Sequence, residues 1–148
     1  MIEVGLVHPT RYDEIGLFYK KMGYGGALFT SDSVLEARDL GRLVGVAKLS
    51  DEGGVLVLRG MYVEKASQRQ GVGHQILVAV GRIIGSRECW CVPYAHLKDF
   101  YSRIGFSECT PESSPRFLGE RLQKYRKLGH QVIIMKRVIE PGHGDRPD

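Results

Sequence analysis

The chain has 148 residues, 43% of them apolar and 26% charged. This is the size and balance of one ordinary globular domain, able to bury a core without disulfide or metal staples. No apolar run approaches the ~20 residues of a membrane span, and the opening Met-Ile-Glu-Val-Gly lacks the basic and apolar regions of a secretion signal, so a cytoplasmic protein with no membrane partner is expected. The formal charge of +4 suits an anionic ligand, but Lys and Arg are scattered along the chain, so nucleic acid is not the expected partner.

Residues 2–7 alternate and predict a strand. A helix follows, with Thr10 as its cap, Asp13 three residues on, and Ile15, Phe18 and Met22 on one face. The glycine-rich stretch 22–32 breaks that pattern and reads as a loop with at most a short helical turn. Residues 34–38, 42–50 and 55–63 predict three strands joined by the turns at 39–41 and 51–54, hence an antiparallel meander. Gly60 inside the third of these predicts a bulge or the close approach of another backbone.

A helix is predicted over 71–85, with Val72, Ile76, Leu77, Val80, Ile83 and Ile84 on one face. Residues 89–94 read as a buried strand. A short helix at 95–104 presents Leu97, Phe100, Tyr101 and Ile104 and stops at Gly105. Residues 106–110 read as a strand. A further helix starts near Pro115 with Ser114 as cap, is striped by Leu118, Leu122 and Tyr125, and ends at Gly129. Residues 131–139 form the last predicted strand, and the polar tail 140–148 reads as disordered. The three cysteines, Cys89, Cys91 and Cys109, are odd in number, so a disulfide framework is not expected; Cys89-x-Cys91 lacks zinc-ligand spacing and lies in an apolar segment, so that pair reads as small buried core residues.

The stretch Gln68-Arg69-Gln70-Gly71-Val72-Gly73 sits between a strand and a helix. The first turn of a helix carries N–H groups without intrahelical partners and the positive end of the dipole. Glycines there let an anion approach the backbone, so the turn reads as a phosphate cradle. A P-loop is excluded because no Gly-Lys pair exists, and a dinucleotide fingerprint because its third glycine position is Ile76. A helix start whose glycines only ease packing remains the alternative.

Gln68-x-x-Gly71-x-Gly73 after the strand Met61-Tyr62-Val63, followed by Asp99-Phe100-Tyr101-Ser102-Arg103-Ile104-Gly105-Phe106, resembles the GNAT N-acetyltransferase family, and the order of elements resembles it over residues 2–138. The resemblance implies an α/β fold over 1–139: a central twisted, mostly antiparallel sheet with one parallel, splayed pair, flanked by helices. It implies acetyl-CoA as co-substrate. Its pyrophosphate would lie on the amides of Arg69, Gln70, Gly71, Val72, Gly73 and His74, with Gln68 opening the motif, and its pantetheine arm would lie along Met61, Tyr62 and Val63. Gly60 is the candidate for the distortion that opens the splay.

By the same resemblance, Tyr101 is the candidate acid for the leaving thiolate. With ordinary pKa values near 10 and 8.5, full transfer to a free thiolate runs uphill by about 2 kcal/mol, so hydrogen bonding to developing charge is the more useful role. A core aromatic at the end of an apolar stripe is the alternative. A carboxylate that some members carry on the strand is replaced by Arg59, which leaves His96 as the attractive base by its pKa, against a surface or capping histidine. Tyr94 stands where the family often has an Asn on the cofactor, or else it packs. The acceptor is expected to be a small-molecule or peptide amine entering near 22–32 and 111–129; the latter holds a helix with Arg116, Arg121, Lys124, Arg126 and Lys127. Family members often form homodimers. Two other readings stay open: a non-catalytic acyl-CoA sensor, and acetylation of an RNA-linked amine.

Overall fold

The computed structural model describes residues 1–138; the tail 140–148 and the end of the last predicted strand at Ile139 lie outside the described residues. The chain divides into two compact units, Met1–Ile83 and a second that begins at Ile84.

In the first unit, β1 (Ile2–Leu6) is followed by α1 (Tyr12–Met22), β2 (Ser33–Asp39), β3 (Arg42–Glu52), β4 (Val55–Val63) and α2 (Val72–Ile84), which ends at the boundary. The strands lie in sequence order, each antiparallel to the next. The meander follows from its turns: Leu40-Gly41 and Gly53-Gly54 hold positive φ at both positions, which matches the twist of the strands they join.

The two faces of this sheet are filled differently. On one, α1 lays Tyr12, Ile15, Phe18 and Tyr19 against Val7, Val34 and Val46. Full burial of Ile15 and Phe18 contributes about 1.5–3 kcal/mol each. On the other, α2 sits so close to β3 that a Cβ at Gly45 would lie 2.8 Å from Ile76 Cδ1 and 3.3 Å from Val72 Cγ1. The missing side chain at Gly45 is what lets the start of α2 reach the strand.

The α1 face also buries charge. Lys48, only 1% exposed, donates to the Ala27 carbonyl, and its Nζ lies 3.7 Å from Asp32 Oδ2 and 5.3 Å from the centre of the Tyr24 ring. Burial pulls the Lys48 pKa down, while Asp32 opposes that shift. Asp32 in turn accepts the Phe29 N–H at 2.9 Å, and its own carbonyl accepts the Tyr12 hydroxyl. These bonds pin segment 23–32, which has no regular structure, as the sequence predicts.

In the second unit, β5 (Cys89–Cys91), α3 (Lys98–Ser102), β6 (Phe106–Cys109), α4 (Arg116–Lys127) and β7 (Ile134–Arg137) follow in order. β7 lies between β5 and β6 and is antiparallel to both. Leu118 and Leu122 of α4 and Met135 of β7 are fully buried, and α4 packs on β7. Arg137, at β7's end, is buried but satisfied: it donates to Ile104 O at 2.5 Å and to Gly85 O at 2.7 Å.

Several boundaries differ from the sequence expectation. Thr10 is no helix cap: it lies in a 3-10 turn, Pro9–Arg11, where His8 Nδ1 accepts its N–H at 3.2 Å, and α1 begins after it. Ser114 does not cap α4 either, since its hydroxyl donates to Pro111 O at 2.6 Å and Pro115 takes the cap position. β5 stops at Cys91 rather than Tyr94, because Pro93 has no N–H to offer the ladder; pairing resumes only as the bridge Tyr94–Val132. The helix expected over 95–104 divides into a 3-10 turn, Ala95–Leu97, and the short α3.

Candidate active site

β4 carries the first special geometry. On either side of Ala47 the register is Lys48–Arg59 and Val46–Tyr62, so Ala47 faces two residues, Gly60 and Met61. This is a β-bulge, as the glycine predicts. Gly60 has φ +59°, and a Cβ there would lie 2.6 Å from the Tyr19 hydroxyl oxygen. That hydroxyl donates to the Gly60 carbonyl at 2.8 Å. Of the two sequence readings of Gly60, the bulge holds; the group that approaches it closely is a side chain and not another backbone.

Past the bulge, Glu64 N–H donates to Val44 O at 2.8 Å. Antiparallel ladders alternate, so Val63 turns its peptide groups away from β3. Its carbonyl is taken by Gln68 Nε2 at 3.0 Å. Gln70 likewise spends its amide on Ala66 O at 3.3 Å. The two glutamines brace the loop with their side-chain amides.

The loop is anchored from below by Glu64, only 7% exposed, which accepts from Arg42 Nη1 at 2.5 Å and Ser67 Oγ at 3.3 Å. The Arg42 guanidinium holds its carboxyl below the usual range. Above the anchor, Arg69 adopts φ +68° and Gly71 φ +80°. A Cβ at Gly71 would meet no heavy atom within 4 Å, so this glycine answers to its backbone angle alone. Its carbonyl accepts the Gln75 N–H at 3.0 Å, the first bond of α2. The N–H groups of Val72, Gly73 and His74 consequently precede the helical ladder, at the positive end of a helix of 13 residues. Gln68 to Gly71 and His74 are exposed. The first unit thus brings Met61 to His74 into one continuous strand, turn and helix start.

In the second unit, Tyr94 is 44% exposed and its hydroxyl lies 3.1 Å from His130 Nδ1. The His96 ring stacks on Tyr94 at 5.8 Å. His130 has no local signal in the sequence. It reaches Tyr94 because the chain before β7 runs antiparallel to the link after β5, with Ala95 N–H on Gln131 O at 2.8 Å. Tyr101 is 6% exposed in α3, with Phe100 and Phe106 edge-on at 5.1 and 6.3 Å.

Two cations of the basic helix have partners within the second unit. Arg116 pairs with Glu120 at 3.2 Å, and Arg126 donates to Val132 O at 3.0 Å. An open groove of about 820 Å³ on its flank is lined by Glu112 and Glu120 as well as Arg116, Lys124 and Lys127. Cys89 and Cys91 are buried core residues as expected, and burial pushes the Cys91 thiol up; Cys109 is half-buried.

Among the described residues no helix is long and apolar enough to cross a membrane. No curated protein matches the chain by sequence. Solved structures do match it in fold. Escherichia coli ElaA is 18% identical with a TM-score of 0.67, over 93% of this chain and 99% of that one. N-acetylglutamate synthase from Neisseria gonorrhoeae, complexed with coenzyme A and N-acetyl-glutamate, is 19% identical with a TM-score of 0.64, over 95% of this chain and 35% of that one. PaiA N-acetyltransferase from Thermoplasma acidophilum, in complex with coenzyme A, is 12% identical with a TM-score of 0.61, over 94% and 99%. The model of the acetyltransferase (GNAT) domain matches residues 27–128, from the pinned segment through the strands, the loop and both later helices, and the chain therefore belongs to the GNAT acetyltransferase family.

Proposed function

We propose that this chain is an N-acetyltransferase that moves the acetyl group of acetyl-CoA to a primary amine of a small molecule or a peptide. The observation that carries the reading is the bulged strand running through a side-chain-poor turn into the start of α2, with three N–H groups ahead of the first helical bond. Such a helix start suits a pyrophosphate, and Arg69 adds positive charge beside it. Coenzyme A bound to structures of the same fold supports it. Met61, Tyr62 and Val63 would run beside the pantetheine arm, with Gln68 and Gln70 bracing the turn, and Tyr94 would contribute a contact to the cofactor.

In the proposed reaction the amine nitrogen bonds to the acetyl carbon, the C–S bond breaks, and the departing thiolate takes a proton. Tyr101 is the donor in this reading, and its hydroxyl stabilises the developing thiolate. The nitrogen sheds its surplus proton to His96 or to water. Glu112 and Glu120 beside Arg116, Lys124 and Lys127 make the groove on α4 mixed in charge, so it offers both signs to an acceptor.

A panel of amines incubated with acetyl-CoA, read by release of free thiol, tests the activity, with Gly71→Glu as the variant that places a carboxylate in the cradle. Thiol release that depends on an amine and is lost in Gly71→Glu supports the reading; coenzyme A binding with no turnover on any amine would favour a non-catalytic acyl-CoA sensor. Tyr101→Phe is expected to lower turnover about 100-fold while the Kd for acetyl-CoA stays within about twofold. Unchanged turnover would make Tyr101 a core aromatic only.

A further inference from the structure

We propose that Tyr19 is a positioning residue for this reaction: through the Gly60 carbonyl, its hydroxyl aims the Met61 N–H at the thioester carbonyl of bound acetyl-CoA. The inference rests on the acetyl-CoA reading above, and it assigns a task to a side chain on α1.

The argument starts from the ladder. Glu64 bonds to Val44, and two residues earlier in the alternation Tyr62 faces Val46 across β3. Arg59 faces Lys48 on the far side of the bulge. The strand pairing thus orients the peptides that flank the bulge. The extra peptide, Gly60–Met61, is the one that two-against-one pairing leaves outside the register with β3. Something else must fix its rotation. The Tyr19 hydroxyl does so, donating to Gly60 O at 2.8 Å. In a trans peptide the N–H points opposite to the carbonyl, so the same bond turns the Met61 N–H away from α1.

Tyr19 is well suited to hold an orientation. It is 3% exposed, and its ring lies 4.6 Å from that of Tyr24 and 6.2 Å from that of Tyr62. Burial pushes its pKa upward, so it remains a neutral donor at every working pH. An amide that stabilises a tetrahedral oxyanion must be in place before the charge develops, because reorienting it during the reaction forfeits the gain. Freeing the peptide to rotate loses that preorganisation and leaves the surface that binds the pyrophosphate intact.

The test uses the full chain and acetyl-CoA carrying ¹³C at the carbonyl, without acceptor, read by isotope-edited infrared difference spectroscopy. In the wild type the bound carbonyl stretch should fall below that of free acetyl-CoA, as hydrogen bonding to the oxygen demands. In Tyr19→Phe most of that fall should vanish while the Kd stays within about threefold, and turnover should drop about 10- to 100-fold. Tyr12→Phe is the matched control, since Tyr12 is also on α1 and also donates to a backbone carbonyl, that of Asp32; it should retain the wild-type stretch. A second measurement needs no variant. The Met61 amide proton should move downfield with acetyl-CoA but not with coenzyme A, which lacks the carbonyl. A wild-type stretch retained in Tyr19→Phe, or a Met61 amide that responds equally to both ligands, overturns the positioning role and leaves the coenzyme reading standing. Failure of the wild type to bind acetyl-CoA overturns both.

Discussion

Gly60 and Gly71 both hold a positive φ in the first unit, yet they are secured in opposite ways. Gly60 is enclosed: an added Cβ would strike the Tyr19 hydroxyl, and the carbonyl is already in that hydroxyl's grip. Gly71 is open, with no heavy atom within 4 Å of where a Cβ would stand. The bulge is therefore set by packing, with side chains imposing a backbone shape. The loop is set by its own backbone and by an anchor beneath it at Glu64. A site that must align a carbonyl gains from the first kind of control, and one that only receives a phosphate needs no more than the second.

The largest expected effect lies on the enclosed side. Gly60→Ala combines a contact of 2.6 Å with a φ of +59°, and should cost about 2–4 kcal/mol in urea unfolding. If the contact is the main cause, adding Tyr19→Phe to Gly60→Ala should recover part of that loss, a non-additivity of about 1 kcal/mol. Strict additivity would assign the cost to the backbone angle instead. Next is Lys48→Met, expected to lose about 2–3 kcal/mol, because it leaves the Asp32 carboxylate and the Ala27 carbonyl buried without their cation. Limited proteolysis should then cut within 23–32, the segment that Lys48 holds down.

How far each region could be read from the sequence divides along the same line. β4 occupies the predicted residues 55–63, and α2 begins one residue after the predicted start, because an apolar run between turn residues and a 3.6-residue stripe are local signals. The bulge was legible for the same reason, since a lone glycine in a strand has few other uses. What holds the bulge was not legible. Tyr19 and Gly60 are 41 residues apart, and only the packing of α1 on the sheet brings them together. His130 meets Tyr94 across 36 residues through antiparallel pairing. Lys48 did leave a trace, as a charge among the apolar residues of a strand, but nothing local named Asp32 as its partner. The two misplaced caps have a related cause. Thr10 lies within a 3-10 turn and Ser114 directly follows one, and nothing local in the sequence marks either turn as separate from the helix after it.

On the open side, effects should be smaller in stability and larger in binding. Gly71→Ala pays only the left-handed angle, about 1 kcal/mol, because there is room for the methyl group. Coenzyme A affinity should fall about tenfold, since relief of that strain tilts the first N–H groups of α2. Calorimetry with coenzyme A and urea unfolding on one preparation separates the two numbers. A loss of stability as large as that of Gly60→Ala would erase the distinction between the regions.

The smallest effect is the one that pH controls. Glu64 has its carboxyl lowered by Arg42, so its contribution is fully present above the unfolded pKa near 4.3 and is lost as the pH falls through the lower folded value. Arg42 is about 60% exposed in its side chain, and solvent screens the pair. Glu64→Gln should therefore cost only about 0.5–1 kcal/mol at pH 7. The gap between wild type and variant should close on acidification below about pH 4, since a protonated Glu64 is then a neutral group like the glutamine. Other carboxylates titrate in both proteins and cancel in the difference. Coenzyme A affinity should follow the same curve, because the anchor and the loop above it are one covalent stretch from Glu64 to Gly71. A gap that stays constant from pH 7 to pH 3 would mean that shape at position 64 holds the loop, with charge playing no part.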